Sequence, residues 1–217
     1  MTGNQPRQSR NMLLLCCGSH IIQDGLVALQ YVLLPLLAQA LGLNYAQVGL
    51  LRALSNSAMT LVEIPSGILA EVYGERRLLI LGLIAAGAGY LGVVVSTSFW
   101  LIALFFVLTG VGAGFQHSLA SAILVKTFGA AQKRRALGTY NASGDAGKLS
   151  FTGLFSLWIG AGFAWNSIVT LLSLLSLVAF AFAFAVWKLL PDTKPKPGQQ
   201  AAAGTQTGLV QRWGIKK

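Results

Sequence analysis

Apolar positions run along the chain in six long blocks, without two-residue alternation. They fall at about residues 12–40, 45–70, 77–97, 99–125, 136–160 and 164–190. A helix needs roughly 20 mostly apolar residues to cross a bilayer core of about 30 Å, and each block is long enough. Strands of a membrane barrel would alternate apolar and polar positions in segments of about ten. Without that alternation, only helices satisfy their backbone in lipid. The pattern predicts an all-α membrane protein with six transmembrane helices. Residues 1–11 read as a cytoplasmic N-terminal segment and 12–190 as the bundle. Residues 191–217, rich in Pro, Gly, Gln and Ala, read as a disordered cytoplasmic tail. Arg7 and Arg10 precede the first block as in a secretory signal. The block is too long for a signal core, lacks a small-residue cleavage site and runs at once into a second span.

Composition agrees. The 217 residues are 54% hydrophobic and 10% charged, with mean hydropathy +0.65. Soluble domains carry about a quarter charged residues, so lipid is the expected solvent. The net charge of +10 is unevenly placed. Arg7 and Arg10, then Arg76 and Arg77, then Lys126, Lys133, Arg134 and Arg135, and finally Lys188, Lys194, Lys196, Arg212, Lys216 and Lys217 mark one side. The other three connections carry no charge. This is the positive-inside pattern, and it predicts both termini in the cytoplasm and insertion in the plasma (inner) membrane. The basic residues read as a topology signal with a weaker attraction to anionic lipid, not as a nucleic-acid surface. Adjacent Cys16 and Cys17 in an apolar run read as small core or lipid-facing residues.

Seven ionisable side chains fall inside the blocks: His20, Asp24, Arg52, Glu63, His117, Asp145 and Lys148. Charge at the centre of a membrane helix costs at least about 2.5–3.5 kcal/mol on insertion scales, and such residues face an interior or a watery cavity. His20 and Asp24, four apart, share a helix face. At 1.5 Å per residue Asp24 lies about 18 Å into its helix, near the midplane. A carboxylate there can exchange protons with His20 as relay, or the pair can fix packing. Asn141, Asp145 and Lys148 follow i, i+4, i+7 on one stripe. Asp145 and Lys148 read either as a packing ion pair or as a site for an anionic solute. Arg52, about 9 Å into its helix, can snorkel outward, pair with Asp24 or bind an anion. His117 is a lone histidine, a packed polar group or a site residue. Gly110-x-Gly112-x-Gly114 follows no strand, which argues against a nucleotide loop. With Gly82 and Gly89 it suits close helix packing. No metal site, cofactor motif or nucleophile triad is visible, so no enzyme is expected.

The stretch GILAEVYGERR, residues 67–77, concentrates charge in a short connection. Gly67 and Gly74 permit close contact and a tight turn, and Glu71 and Glu75 can pair with Arg76 and Arg77 or meet the positive start of helix 3. It resembles the signature between helices 2 and 3 of the major facilitator superfamily, G-x-L-a-D-r-x-G-r-[RK]-[RK]. Gly67, Leu69, Ala70, Gly74, Arg76 and Arg77 match; Glu71 replaces the usual aspartate, and Val72 and Glu75 replace common arginines. The resemblance implies a charge relay of Glu71 with Arg76 and Arg77 that locks the cytoplasmic side, with Glu63 nearby. His20-Ile-Ile-Gln-Asp24 and GVGAGFQHSLAS, ending at Ser121, further resemble the fosmidomycin-resistance type. That group commonly has proline where Ser118 stands.

What the resemblance implies is the N-terminal six-helix half of a secondary transporter. It would work by alternating access and proton coupling on a small organic, anionic solute. Members normally have twelve helices, so the expected partner is a second copy or a separate C-terminal half, unless the chain is a truncated product or a fragment. A different class of reading is a membrane scaffold derived from a transporter, which would tolerate neutral replacements at Asp24 and Asp145.

Overall fold

The structure, a computed structural model, describes residues 5–189. They form six helices and, among the described residues, no strand. These are α1 (Gln5–Leu41), α2 (Tyr45–Tyr73), α3 (Glu75–Val95), α4 (Phe99–Thr127), α5 (Ala130–Gly160) and α6 (Trp165–Leu189). Their order follows the hydropathy blocks. The ends differ where polar residues prolong a helix. α1 starts at Gln5 rather than near 12, and α5 at Ala130 rather than near 136. Outside lipid a helix needs its backbone bonds but no apolar side chains. The tail expected at 191–217 lies outside the described residues.

Local sequence sets the turns. Asn44 accepts a hydrogen bond from the Gln47 N–H, and the Gln47 side chain accepts one from the Asn44 N–H, both at 2.9 Å. This reciprocal capping box starts α2. Gly74 alone joins α2 to α3, at φ 88°, a conformation that costs a side-chain-bearing residue about 1–2 kcal/mol.

α1 and α4 form the middle of the bundle. α1 packs chiefly on α5, α4 on α3 and α2, and α6 closes against α3. Glycines set these distances. A Cβ added at Gly114 would stand 2.6 Å from the Met59 carbonyl oxygen, and one at Gly110 would overlap that of Ser55, both on α2. Gly112 faces the other way, onto Gly82 of α3, where an added Cβ would lie 2.8 Å from the Gly112 carbonyl oxygen. The alternating glycines thus bring α4 into backbone contact with two helices at once. Leu26, Leu29, Leu33, Leu51, Tyr90, Phe106 and Phe155 fill the core. Tyr90 meets Phe106 edge to face at 6.3 Å, and its hydroxyl donates to the Leu26 carbonyl.

Among the described residues, three segments are long and apolar enough by themselves to cross a membrane: Gln8–Leu41, Glu75–Val95 and Phe99–Thr127. α6 adds a shorter apolar stretch, Trp165–Val178. α2 and α5 have the length, 29 and 31 residues, but Arg52, Asn56 and Glu63 dilute one and Asp145 and Lys148 the other. Among the described residues, length and composition thus mark three full-length span candidates and one shorter apolar stretch.

Candidate functional site

The His-x-x-x-Asp pair of α1 turns inward. His20 and Asp24 are 4% and 2% exposed, and His20 Nε2 lies 3.2 Å from Asp24 Oδ2. His20 Nδ1 is 2.9 Å from the Tyr140 carbonyl oxygen of α5. A carbonyl only accepts, so Nδ1 carries a proton. In a neutral His20, Nε2 would then present a lone pair to a carboxylate oxygen. A second proton on that ring turns the mismatch into an ion pair. The ring also stacks on Tyr140, with centroids 3.9 Å apart and planes at 9°.

α4 and α5 complete the cluster. His117 Nε2 is 3.4 Å from Asp24 Oδ1, and its ring stands edge-on to His20 at 5.6 Å. His117, isolated in its own helix, is therefore part of a three-residue group with His20 and Asp24. Lys148 Nζ lies 3.0 Å from Asp145 Oδ1, as i, i+3 spacing allows, and 3.2 Å from Asp24 Oδ2. It bridges an exposed acid and a buried one. A cavity of about 390 Å³ opens over the group, lined by His20, Asp24, His117, Ser121, Tyr140, Asn141, Asp145 and Lys148. The i, i+4, i+7 stripe of α5 faces this cavity.

Two glycines make the approach possible. A Cβ at Gly144 would stand 2.5 Å from His20 Cε1 and 2.7 Å from Asp24 Oδ2, and one at Gly147 would overlap the Ile21 carbonyl oxygen. Tyr140 and Gly144, visible in the sequence of α5 beside the charged stripe, are structural members of the site, and Gly147 shares their buried face.

One ring nitrogen each of His20 and His117 and a carboxylate oxygen of Asp24 lie within 4.8 Å of one another, close enough to hold a metal ion. The sequence predicted no metal site, because these groups come from two helices far apart in the chain. The Lys148 ammonium already supplies a positive charge at the same carboxylate.

Arg52 is elsewhere. It does not pair with Asp24. Its guanidinium donates to Gln30 Oε1 and, at 2.7 Å, to the Tyr31 hydroxyl, and it covers the Tyr31 ring at 4.2 Å. Gln30 and Tyr31 are polar residues in an otherwise apolar run of α1.

In the charged connection Glu75 sits in the first turn of α3, one of the two placements expected of it. Glu75 pairs with Lys126 of α4. Glu71 and Arg77 are exposed, and neither forms an ion pair among the described residues. Arg76 is half-buried, within electrostatic range of Cys16. Gly67, expected to permit close contact, is exposed, and a Cβ there would meet nothing within 4 Å. Leu69 is half-buried, as is Glu63, which lies within electrostatic range of His117.

Apolar helices around a cavity lined by ionisable groups define a class: a polytopic helical membrane protein with a polar interior. The sequence profile of the Major Facilitator Superfamily matches residues 16–216, and the chain belongs to that family. Its members are transporters rather than enzymes, which makes this chain an integral membrane protein of the transporter class. No curated protein matches the chain at a significant level.

Proposed function

We propose that the chain acts in proton-coupled secondary transport of a small organic solute, by alternating access, in the plasma (inner) membrane. One observation carries the reading. A buried carboxylate, Asp24, has an imidazole lone pair aimed at it from His20, a second imidazole from His117 and an ammonium from Lys148, all beside a cavity of about 390 Å³. With Nδ1 donating to the Tyr140 carbonyl, a proton on His20 Nε2 would make the contact with Asp24 an ion pair without moving either group. Solute entering the cavity meets Asn141, Asp145 and Lys148 first, since Asp145 and Lys148 are exposed. Alternating access then follows from protonation biasing one packing of the helices over another.

The proposal includes six crossings with both ends in the cytoplasm. The charged α2–α3 and α4–α5 connections share one end of the bundle with the start of α1, which supports it. It also includes a second six-helix bundle, from another copy or a separate chain. Gly138, Ala142, Ala146 and Ser150 of α5 line up at four-residue spacing and are exposed, as are Gly49, Ala53 and Ser57 of α2. Small residues on a membrane helix surface suit another helix better than lipid tails.

The test uses vesicles carrying the protein, an imposed pH gradient and a pH-sensitive dye. Candidate solutes that dissipate the gradient in the wild type must fail to do so in Asp24→Asn. Equal dissipation in both would remove the proton-coupling role. The mass of the protein in nanodiscs, lipid subtracted, tests the second bundle: a stable monomer that still transports would refute it.

A further inference from the structure

The Arg52 cluster lies apart from the proton group, and its wiring has a direction. Gln30 is 1% exposed. Its amide nitrogen donates to Ser55 Oγ at 2.8 Å and reaches Thr109 Oγ1 at 3.4 Å. Thr109 spends its own hydrogen on the Phe106 carbonyl, at 2.8 Å, so it can only accept from Gln30. The amide orientation is thereby settled, and the Gln30 carbonyl oxygen is aimed at Arg52, which donates to it. Three helices, α1, α2 and α4, cooperate to hold one guanidinium in place.

Every partner in this arrangement is neutral. Among the described residues no carboxylate lies within ion-pair distance of Arg52. Two of the five guanidinium N–H groups are used by Gln30 and Tyr31, which leaves three. The Tyr31 oxygen accepts from Arg52, so its own hydrogen is available as well. Arg52 is half-buried and Tyr31 is 67% exposed, so these donors face outward from the bundle. Asn56, one turn along α2 from Arg52, is exposed beside them. Among the described residues, this oriented cation has spare donors and no counter-charge, which suits it to an anion.

We propose that Arg52 and Tyr31 form an oxyanion-binding subsite that takes the carboxylate or phosphonate group of the transported solute, held by the guanidinium fork and the Tyr31 O–H. Assigning the anion to the solute rests on the transporter reading; the anion site itself does not. Tyr31 follows Asp24 by seven residues, which separates the subsite from the proton cluster by about 10 Å along α1. A solute can therefore be anchored by its anionic end while the proton cluster changes charge.

The test titrates inorganic phosphate and acetate, each against chloride at matched ionic strength, into the full chain in nanodiscs. The readout is the side-chain signal of Arg52 in ¹⁵N-arginine-labelled protein, assigned by its loss in Arg52→Lys. The expected result is a saturable shift with phosphate or acetate and none with chloride. Thermal stabilisation by the same anion should weaken by about tenfold or more in midpoint concentration in Arg52→Lys, because an ammonium cannot reproduce the fork. It should persist in Arg134→Gln, a surface arginine outside the site, and weaken in Tyr31→Phe, which keeps the ring. No shift beyond that of chloride, or equal stabilisation in Arg52→Lys, would overturn the proposal. Dissipation of a pH gradient by solutes is a separate readout. Anion binding without it would sink the transport reading alone, and transport without anion binding would sink the subsite alone.

Discussion

Replacing Gly144 by alanine adds one methyl group at the point where α5 crosses α1. That carbon would stand 2.5 Å from His20 Cε1, 2.8 Å from His20 Nδ1 and 2.7 Å from Asp24 Oδ2. Neither side chain has an easy retreat. The His20 ring is stacked on Tyr140 at 3.9 Å and bonded to the Tyr140 carbonyl at 2.9 Å, and moving it away from α5 loses both. An aromatic stack is worth about 0.5–1.5 kcal/mol and a hydrogen bond about 1 kcal/mol net. Together they fall in the range of about 1–3 kcal/mol typical of overpacking. Working the other way, alanine is the better helix former by up to about 1 kcal/mol. The expected net cost is about 1–2 kcal/mol. Gly153→Ala, on the same helix, is the control, because a Cβ there meets nothing within 4 Å. It should leave stability unchanged or raise it. Reversible unfolding of the two variants in bicelles measures the gap. If Gly144→Ala is as stable as Gly153→Ala, the close α1–α5 approach is not real, and the cluster built on it falls with it.

Asp24→Asn should lower solute-driven proton movement by about tenfold or more, the factor that corresponds to losing about 1.4 kcal/mol of interaction. It should also flatten the pH dependence of uptake measured with a pH dye; an unchanged pH profile would count against the cluster. Tyr90→Phe removes a fully buried hydroxyl that donates to the Leu26 carbonyl, and unfolding should show a loss of about 1 kcal/mol. Glu75→Gln breaks the pair with Lys126, whose side chain is 68% exposed, so stability should change by no more than about 1 kcal/mol. That change should shrink at high salt; a large, salt-insensitive loss would show that the pair does more than a surface contact.

Helix number and order were legible because lipid imposes length and apolarity on each crossing, and these are properties of contiguous sequence. The His20–Asp24 pair was legible for a similar reason, since a four-residue spacing stays within one helix. His117 and Lys148 were visible as residues but not as partners of Asp24, and Gln30 was not singled out. What brings His117 to Asp24 is the packing of α4 against α1, and what brings Lys148 there is the absence of side chains at Gly144 and Gly147. The partner of Glu75 was not legible for the opposite reason: arginines adjacent in sequence suggested a local pair, but Glu75 reached across to Lys126 on α4. Arg52 likewise found neutral neighbours on α1 rather than an acid.

The glycine contacts also divide the bundle mechanically. α1 and α5 meet closely at Gly144, against the His20 and Asp24 side chains, and at Gly147, against backbone; α2, α3 and α4 meet through backbone at Gly82, Gly110, Gly112 and Gly114. Each set should move as a block. The joint between the blocks passes between α1 and α4, where His117 on one side reaches Asp24 on the other. A charge change at Asp24 therefore acts between the two sets of helices rather than within either.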